Sequence, residues 1–145
     1  MYKLDTPQQN EYPFLLEIWE ASVKATHHFL KKDDIEFFKK TILEKKIFNL
    51  VGLTVVRDDN IILGFMGVSG NSLEMIFLHP DARGKGIGKM LLKHAIADLK
   101  VTKVDVNEQN VEALQFYELF GFTLISRSAL DGTGKPYPIL HMQLV

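Results

Sequence analysis

The run Arg83-Gly84-Lys85-Gly86-Ile87-Gly88 lies between two segments of different periodicity, and that junction constrains the fold more than any other stretch. Before it, Leu73-Glu74-Met75-Ile76-Phe77-Leu78 is an apolar run of strand length, and Pro80 ends its ladder because proline has no N–H to donate. After it, Ile87, Leu91, Ala95 and Leu99 recur every four residues, with Leu92 and Ile96 widening the stripe of a helix. The glycines therefore join a strand to a helix N-terminus, where orphan backbone N–H groups and the positive end of the helix dipole face the turn. Glycine permits the tight turn and keeps a Cβ away from a closely approaching ligand. Arg83, Lys85 and Lys89 add positive charge, so the loop suits a phosphate or pyrophosphate.

Elsewhere strands and helices alternate. A short strand is expected at 2–6, then a helix from about 11 to 25, capped by Asn10, with Pro13 in its first turn and Leu15, Trp19 and Val23 facing inward. Asp33-Asp34-Ile35-Glu36 has the pattern of a capping box opening a second helix to about 46, with Ile35, Phe38 and Ile42 on one side. Strands at 50–57 and 61–69 are joined by the turn Asp58-Asp59-Asn60. The helix after the glycine loop should end near Lys100, followed by a strand at 102–106, a helix at 111–120 capped by Asn110 and stopped by Gly121, and strands at 122–128 and 137–144. This order implies an α/β fold in one domain, 1–145, with a mixed sheet of about six to seven strands and about four helices.

Composition removes several classes of function. Seventeen Lys+Arg against eighteen Asp+Glu give a net charge of −1, so no global field draws in nucleic acid or an anionic membrane. With no cysteine there is no disulfide, thiolate nucleophile or Cys-based metal site, and no metal is expected. Without a signal-like apolar region near Met1 or an apolar run of spanning length, the expected setting is the cytoplasm.

Two familiar phosphate loops do not fit. Reading a Walker loop back from Gly88-Lys89 puts Arg83 at its first glycine and Met90 at its hydroxyl, and the dinucleotide fingerprint needs a glycine where Lys89 stands. Arg83-x-x-Gly86-x-Gly88, preceded by Leu78-His79-Pro80, resembles the acetyl-coenzyme-A motif of the GNAT family of N-acetyltransferases. Downstream, Asn110 followed seven residues later by Tyr117, and then Gly121-Phe122, resembles that family's second signature. Ala25-Thr26-His27-His28-Phe29-Leu30 and Gly134-Lys135-Pro136-Tyr137-Pro138 are also similar to a bacterial subgroup of peptidyl-lysine type.

The resemblance implies a GNAT-like fold and transfer of acetyl from acetyl-CoA to a primary amine, of a small molecule or a protein lysine, by direct attack in a ternary complex. It places the carrier between splayed strands, near Phe77, Leu78 and His79, with the pyrophosphate on Arg83, Gly84, Lys85, Gly86, Ile87, Gly88 and Lys89, and Asn110 in contact with it. It makes the Leu78 N–H the group that polarises the acetyl carbonyl and Tyr117 the proton donor to sulfur. A phenol of pKa about 10 is a credible donor to a thiolate of about 8.5. It puts His27, Phe29 and Tyr137 on the acceptor side. For the base, Glu74, Asp105, His79, His27, His28 and a plain water chain stay open. No Gly-x-Ser-x-Gly elbow or cysteine offers a covalent route. A non-catalytic acyl-CoA sensor and an ATP-binding regulatory domain are the rival readings, and both a monomer and a homodimer are open.

Overall fold

Residues 1–144 are described by a computed structural model of the chain. The strands are β1 (Tyr2–Asp5), β2 (Gly52–Asp58), β3 (Ile61–Ser69), β4 (Ser72–Leu78), β5 (Lys103–Asn107), β6 (Phe122–Ser128) and β7 (Ile139–Leu144). They form one sheet in the order β1-β2-β3-β4-β5-β7-β6. The helices are α1 (Tyr12–Thr26), α2 (Lys32–Glu44), α3 (Ile87–Ala97) and α4 (Val111–Leu119). Neighbouring strands are antiparallel except β4 and β5, which are parallel and joined through the glycine loop and α3.

Strict alternation puts adjacent residues of β2 and β3 into separate cores. Val56 and Met66 pack with Leu91 and Leu92 of α3, whereas Val55 and Phe65 pack with Leu15 and Trp19 of α1. Beyond β4 the sheet is covered on one face only. Val104, Val106, Leu140 and Met142 face the α3–α4 side, while Asp105 and His141 point to the other, more open face.

The break in the sheet lies between β4 and β5, which pair only at Ser72–Lys103 and Leu73–Val104. Across β4 from that seam the register with β3 jumps from Gly67–Met75 to Val68–Leu73, so Glu74 is the extra residue of a β-bulge. A bulge bends its strand and ends regular pairing, so the remainder of β4 leaves β5 and opens a gap. Nothing in the apolar run 73–78 signalled this. A further close approach holds the far end of β4 in place, because a Cβ on Gly64 of β3 would lie 2.6 Å from Leu78 Cδ2 and 3.1 Å from the Phe77 carbonyl oxygen.

Several element ends differ from the sequence expectation. Asn10 does not cap α1, since Gln9–Glu11 form a 3-10 turn and the Glu11 carboxylate accepts the Gln8 N–H at 2.9 Å. The box at Asp33–Glu36 does not form either: α2 starts at Lys32 with Lys31 as an extended N-cap, which leaves Asp33 and Asp34 inside the first turn near the positive dipole end. α2 stops at Glu44, two residues early, just before Lys46 takes a left-handed φ of 49°. α3 ends at Ala97 rather than near Lys100, because Lys100 adopts a left-handed φ of 59° and the Val101 N–H turns back to the Ala95 carbonyl at 3.0 Å, closing the helix end without glycine. β7 begins at 139, not 137, since Pro138 has no N–H and the Tyr137 N–H is taken by the Lys135 carbonyl at 2.8 Å.

The near edge of the sheet is tied by Arg57 of β2. Its guanidinium grips Glu11 with two bonds of 2.7 and 2.8 Å and reaches Asp5 of β1 at 2.9 Å. That fork pulls the Glu11 carboxyl down from 4.5 to about 2. A depressed carboxylate stabilises the fold above its unfolded pKa and loses that contribution as pH falls towards the folded value. Urea unfolding should therefore show stability lost between about pH 5 and about pH 2, and Arg57→Met should flatten that loss. An equally steep profile in the variant would rule this network out as its source.

Candidate functional site

The gap between β4 and β5 is the floor of a cleft of about 540 Å³ that runs from the glycine loop past α4 to the end of α1. At the loop end, Gly86 is the N-cap of α3 with φ 80° and no side-chain cap, so the first N–H groups of the helix are left for a ligand. Gly84 has φ 75°. A Cβ on either glycine would meet no protein atom within 4 Å. Glycine is thus required by the left-handed backbone, not by crowding within the protein. Gly84, Gly86, Ile87, Gly88 and Lys89 line the cleft, as does Arg83, whose guanidinium is paired with Glu112 of α4. That pair is 45% and 74% exposed, so it is weak and open to exchange for a stronger anion.

Two residues expected to contact the carrier lie outside the cleft lining. Lys85 is exposed, and His79 is spent on the turn after β4, its Nδ1 accepting the Asp81 N–H at 3.1 Å. The His79 N–H donates to the Leu63 carbonyl of β3 at 2.9 Å. Because successive N–H groups of a strand point to opposite edges, the Leu78 N–H faces the gap. Phe77 and Leu78 both line it.

Tyr117 on α4 is 5% exposed, packs edge-on against Phe122 at 5.8 Å and reaches the cleft wall. Burial pushes its phenol up, so the hydroxyl stays protonated. Asn110 caps α4 through Oδ1, which accepts the Ala113 N–H at 3.2 Å. That fixes the amide so that Nδ2 points to His27 Nε2, 3.4 Å away. On the far side of the ring, Thr26 donates its hydroxyl to the Ser22 carbonyl at 2.8 Å and lies 2.7 Å from His27 Nδ1. The Thr26 oxygen can then only accept from the ring, so Nδ1 carries the hydrogen and Nε2 the lone pair. Burial, helped by the charge of His28, pulls His27 down from 6.5 to about 4. His27 is a neutral cleft residue that bridges α1 to α4. His28 is exposed and lines no part of the cleft.

Glu74, the bulged residue, and Asp105 of β5 face each other across the opening of the gap. Burial, and then the neighbouring Asp105 charge, raise the Glu74 carboxyl. Asp105 is held on one oxygen by His141 Nδ1 at 2.7 Å, and His141 Nε2 lies 2.7 Å from Ser128 Oγ. A second groove of about 310 Å³ on the open face of the sheet shares Glu74 and Asp105 with the cleft and reaches His141. The sequence reading did not include His141 or Ser128. Their alternation with core residues was visible, but the register that sets His141 opposite Asp105 was not.

Phe29 and Tyr137 do not line the cleft. Tyr137 is buried, stacks near Phe29 at 6.1 Å and Phe38 at 6.4 Å, and donates its hydroxyl to Asp34, which also pairs with Lys135 at 2.9 Å. It fastens the segment before β7 to α2, while Phe29 backs His27 at 5.3 Å. Thr26, Ile76 and Phe116 line the cleft without having been foreseen.

A profile described as an acetyltransferase (GNAT) domain matches residues 20–136. The peptidyl-lysine N-acetyltransferase YjaB of Salmonella typhimurium is 36% identical over 145 aligned positions, covering 98% of this chain and 97% of that protein. The solution structure of apo-form YjaB from Escherichia coli superposes with a TM-score of 0.89 at 33% identity, over all of this chain and 98% of that one. The PaiA N-acetyltransferase of Thermoplasma acidophilum, solved in complex with coenzyme A, shares the fold at a TM-score of 0.78 and 19% identity, over 100% of this chain and 99% of its own.

The His27 environment can be checked directly. Nitrogen-detected NMR should show the Nδ1–H tautomer at neutral pH and a titration midpoint near about 4. A midpoint close to 6.5, the value of an unperturbed ring, would mean that the ring is solvated and the bridge to Asn110 absent.

Proposed function

This chain belongs to the GNAT family of acetyl-CoA-dependent N-acetyltransferases, and on that premise we propose that its acceptor is the side-chain amine of a peptidyl lysine. The whole-length similarity to a peptidyl-lysine N-acetyltransferase supports that acceptor. Residues 1–145 act as one catalytic domain, as a monomer or homodimer, and the cytoplasm is its setting. The observation that carries the reading is the bulge-opened cleft, which puts the uncapped α3 N-terminus, an unpaired strand edge and the Tyr117 phenol around one space.

Acetyl-CoA spans that space. Its diphosphate sits on the N–H groups of residues 84–89, with Arg83 released from Glu112, and its pantetheine pairs with the free edge of β4. The Leu78 N–H polarises the acetyl carbonyl and stabilises the oxyanion that forms when the amine attacks. The acceptor arrives as R–NH3+ at the opening between Glu74 and Asp105. Two protons leave it on the way to the amide. One passes through Glu74 to solvent, and the other replaces the proton that Tyr117 gives to the coenzyme A sulfur.

Glu74 suits the role of proton acceptor because its raised carboxyl is a stronger base than an ordinary glutamate. Tyr117 is a weaker acid when buried, but the same desolvation also makes the departing thiolate more basic, so donation stays feasible. A protonated phenol at this position is more than an acyl-CoA sensor needs. Asn110 and His27 form the wall beside the reacting groups.

Free-thiol release measured over a panel of lysine peptides, polyamines and aminoglycosides tests the activity, with lysine peptides expected to turn over fastest. No release with any amine would leave only carrier binding. Tyr117→Phe should lower kcat roughly a hundred-fold with acetyl-CoA affinity unchanged by calorimetry; an unaffected kcat would take Tyr117 out of the chemistry. Gly86→Glu forces a side chain into φ 80° and sets a negative charge on the anion cradle, so acetyl-CoA binding should vanish. Retained affinity would move the diphosphate elsewhere.

A further inference from the structure

Asp105 does not stand alone at the cleft opening. Its Oδ1 is 2.7 Å from His141 Nδ1, and among the described residues Oδ2 has no protein partner. A carboxylate can only accept, so Nδ1 of the neutral ring carries the hydrogen and Nε2 presents its lone pair. Ser128, two residues along β6 from the direct cross-strand neighbour Ser126, closes the chain by donating its hydroxyl to Nε2 at 2.7 Å. The three side chains come from adjacent strands β5, β7 and β6, so their spacing is set by sheet register rather than by flexible loops. The bulge in β6 between Leu124 and Ser126 is part of that register.

The arrangement locks one oxygen of Asp105 and leaves the other without a protein partner among the described residues, on a side chain that lines both the cleft and the groove together with Glu74. Four carboxylates elsewhere are each neutralised by a cation: Glu11 by Arg57, Glu20 by Lys39, Asp34 by Lys135 and Glu108 by Arg127. Glu74 and Asp105 have no Lys or Arg partner among the described residues and repel one another. A primary ammonium on a long stem is what the acceptor brings to this point, and it would relieve that repulsion.

We propose that His141, held by Ser128, is a positioning residue that aims Asp105 at the ammonium group of the acceptor and so sets acceptor affinity without touching the acetyl donor. This rests on the acceptor reading above. An imidazole N–H holds the carboxylate in one rotamer; without it the side chain swings into solvent, and the amine must order it on arrival.

Steady-state kinetics with a lysine peptide decides the matter. His141→Phe removes the donor and should raise acceptor KM about ten-fold while the KM for acetyl-CoA stays put. His141→Gln, which still offers an N–H to Asp105, should recover most of the loss, and Ser128→Ala should give a smaller rise in the same direction. Acceptor KM unchanged in His141→Phe, a glutamine variant as damaged as the phenylalanine one, or a matching rise in acetyl-CoA KM would each overturn the proposal. Should His141→Phe fail to fold, an unaltered acceptor KM in Ser128→Ala overturns it just as well. Asp105→Asn separates the two levels. Normal acceptor kinetics there would sink the acceptor reading itself, whereas an impaired Asp105→Asn beside an intact His141→Phe would sink only the role of His141.

Discussion

β4 and β5 share a parallel seam that ends after two residue pairs, and the architecture of the site follows from that interruption. Backbone groups inside a sheet are normally consumed by neighbouring strands. Here one inserted residue, Glu74, breaks the match between β3 and β4 and turns the rest of β4 away, so donors and acceptors of a central strand become available to a ligand. The adjoining helix α3 then points its uncapped N-terminus at one end of the same gap. Two kinds of unsatisfied backbone, a strand edge and a helix start, are thereby brought into a single cleft. Neither would persist in water-free packing without something to receive its hydrogen bonds.

Within the cleft the ionisable groups share a trend. Tyr117 is pushed up by burial, Glu74 is pushed up by burial and by Asp105, and His27 is pulled down by burial. Each shift favours the uncharged form. Neutral Tyr117 and His27 in the wall cost less to desolvate when a donor and acceptor close over it, and the charges that develop during transfer are felt more strongly there. The charged groups sit at the two ends: the cationic loop at one, Glu74 and Asp105 at the other. That polarity matches an anionic carrier meeting a cationic acceptor.

Contacts between distant segments hold the walls at these positions. His27 at the end of α1 leans on Asn110 at the start of α4, so the two sides of the gap are linked above its floor. Tyr137 and Lys135 both reach Asp34, clamping the segment before β7 against α2, and the Lys135 ammonium sits 4.5 Å over the Phe37 ring. These side chains resemble acceptor-side residues by their place in the sequence. In the folded chain Tyr137 and Phe29 support the wall rather than form its surface.

The amino-acid sequence alone determined which segments became strands and helices, where the phosphate-type loop lay, and that Asn110 and Tyr117 occupy one helix at the family spacing. Those features rest on periodicities of two and 3.6 and on short motifs, which act between residues close in the chain. Helix ends at Lys31 and Lys100 escaped it because an extended N-cap lysine and a left-handed C-terminal lysine leave no compositional mark. Tertiary structure decided the bulge at Glu74, the neutrality of His27, and the meeting of Asp105 with His141 and Ser128. Each of these depends on strand register or on burial by remote segments, so no local pattern carries it.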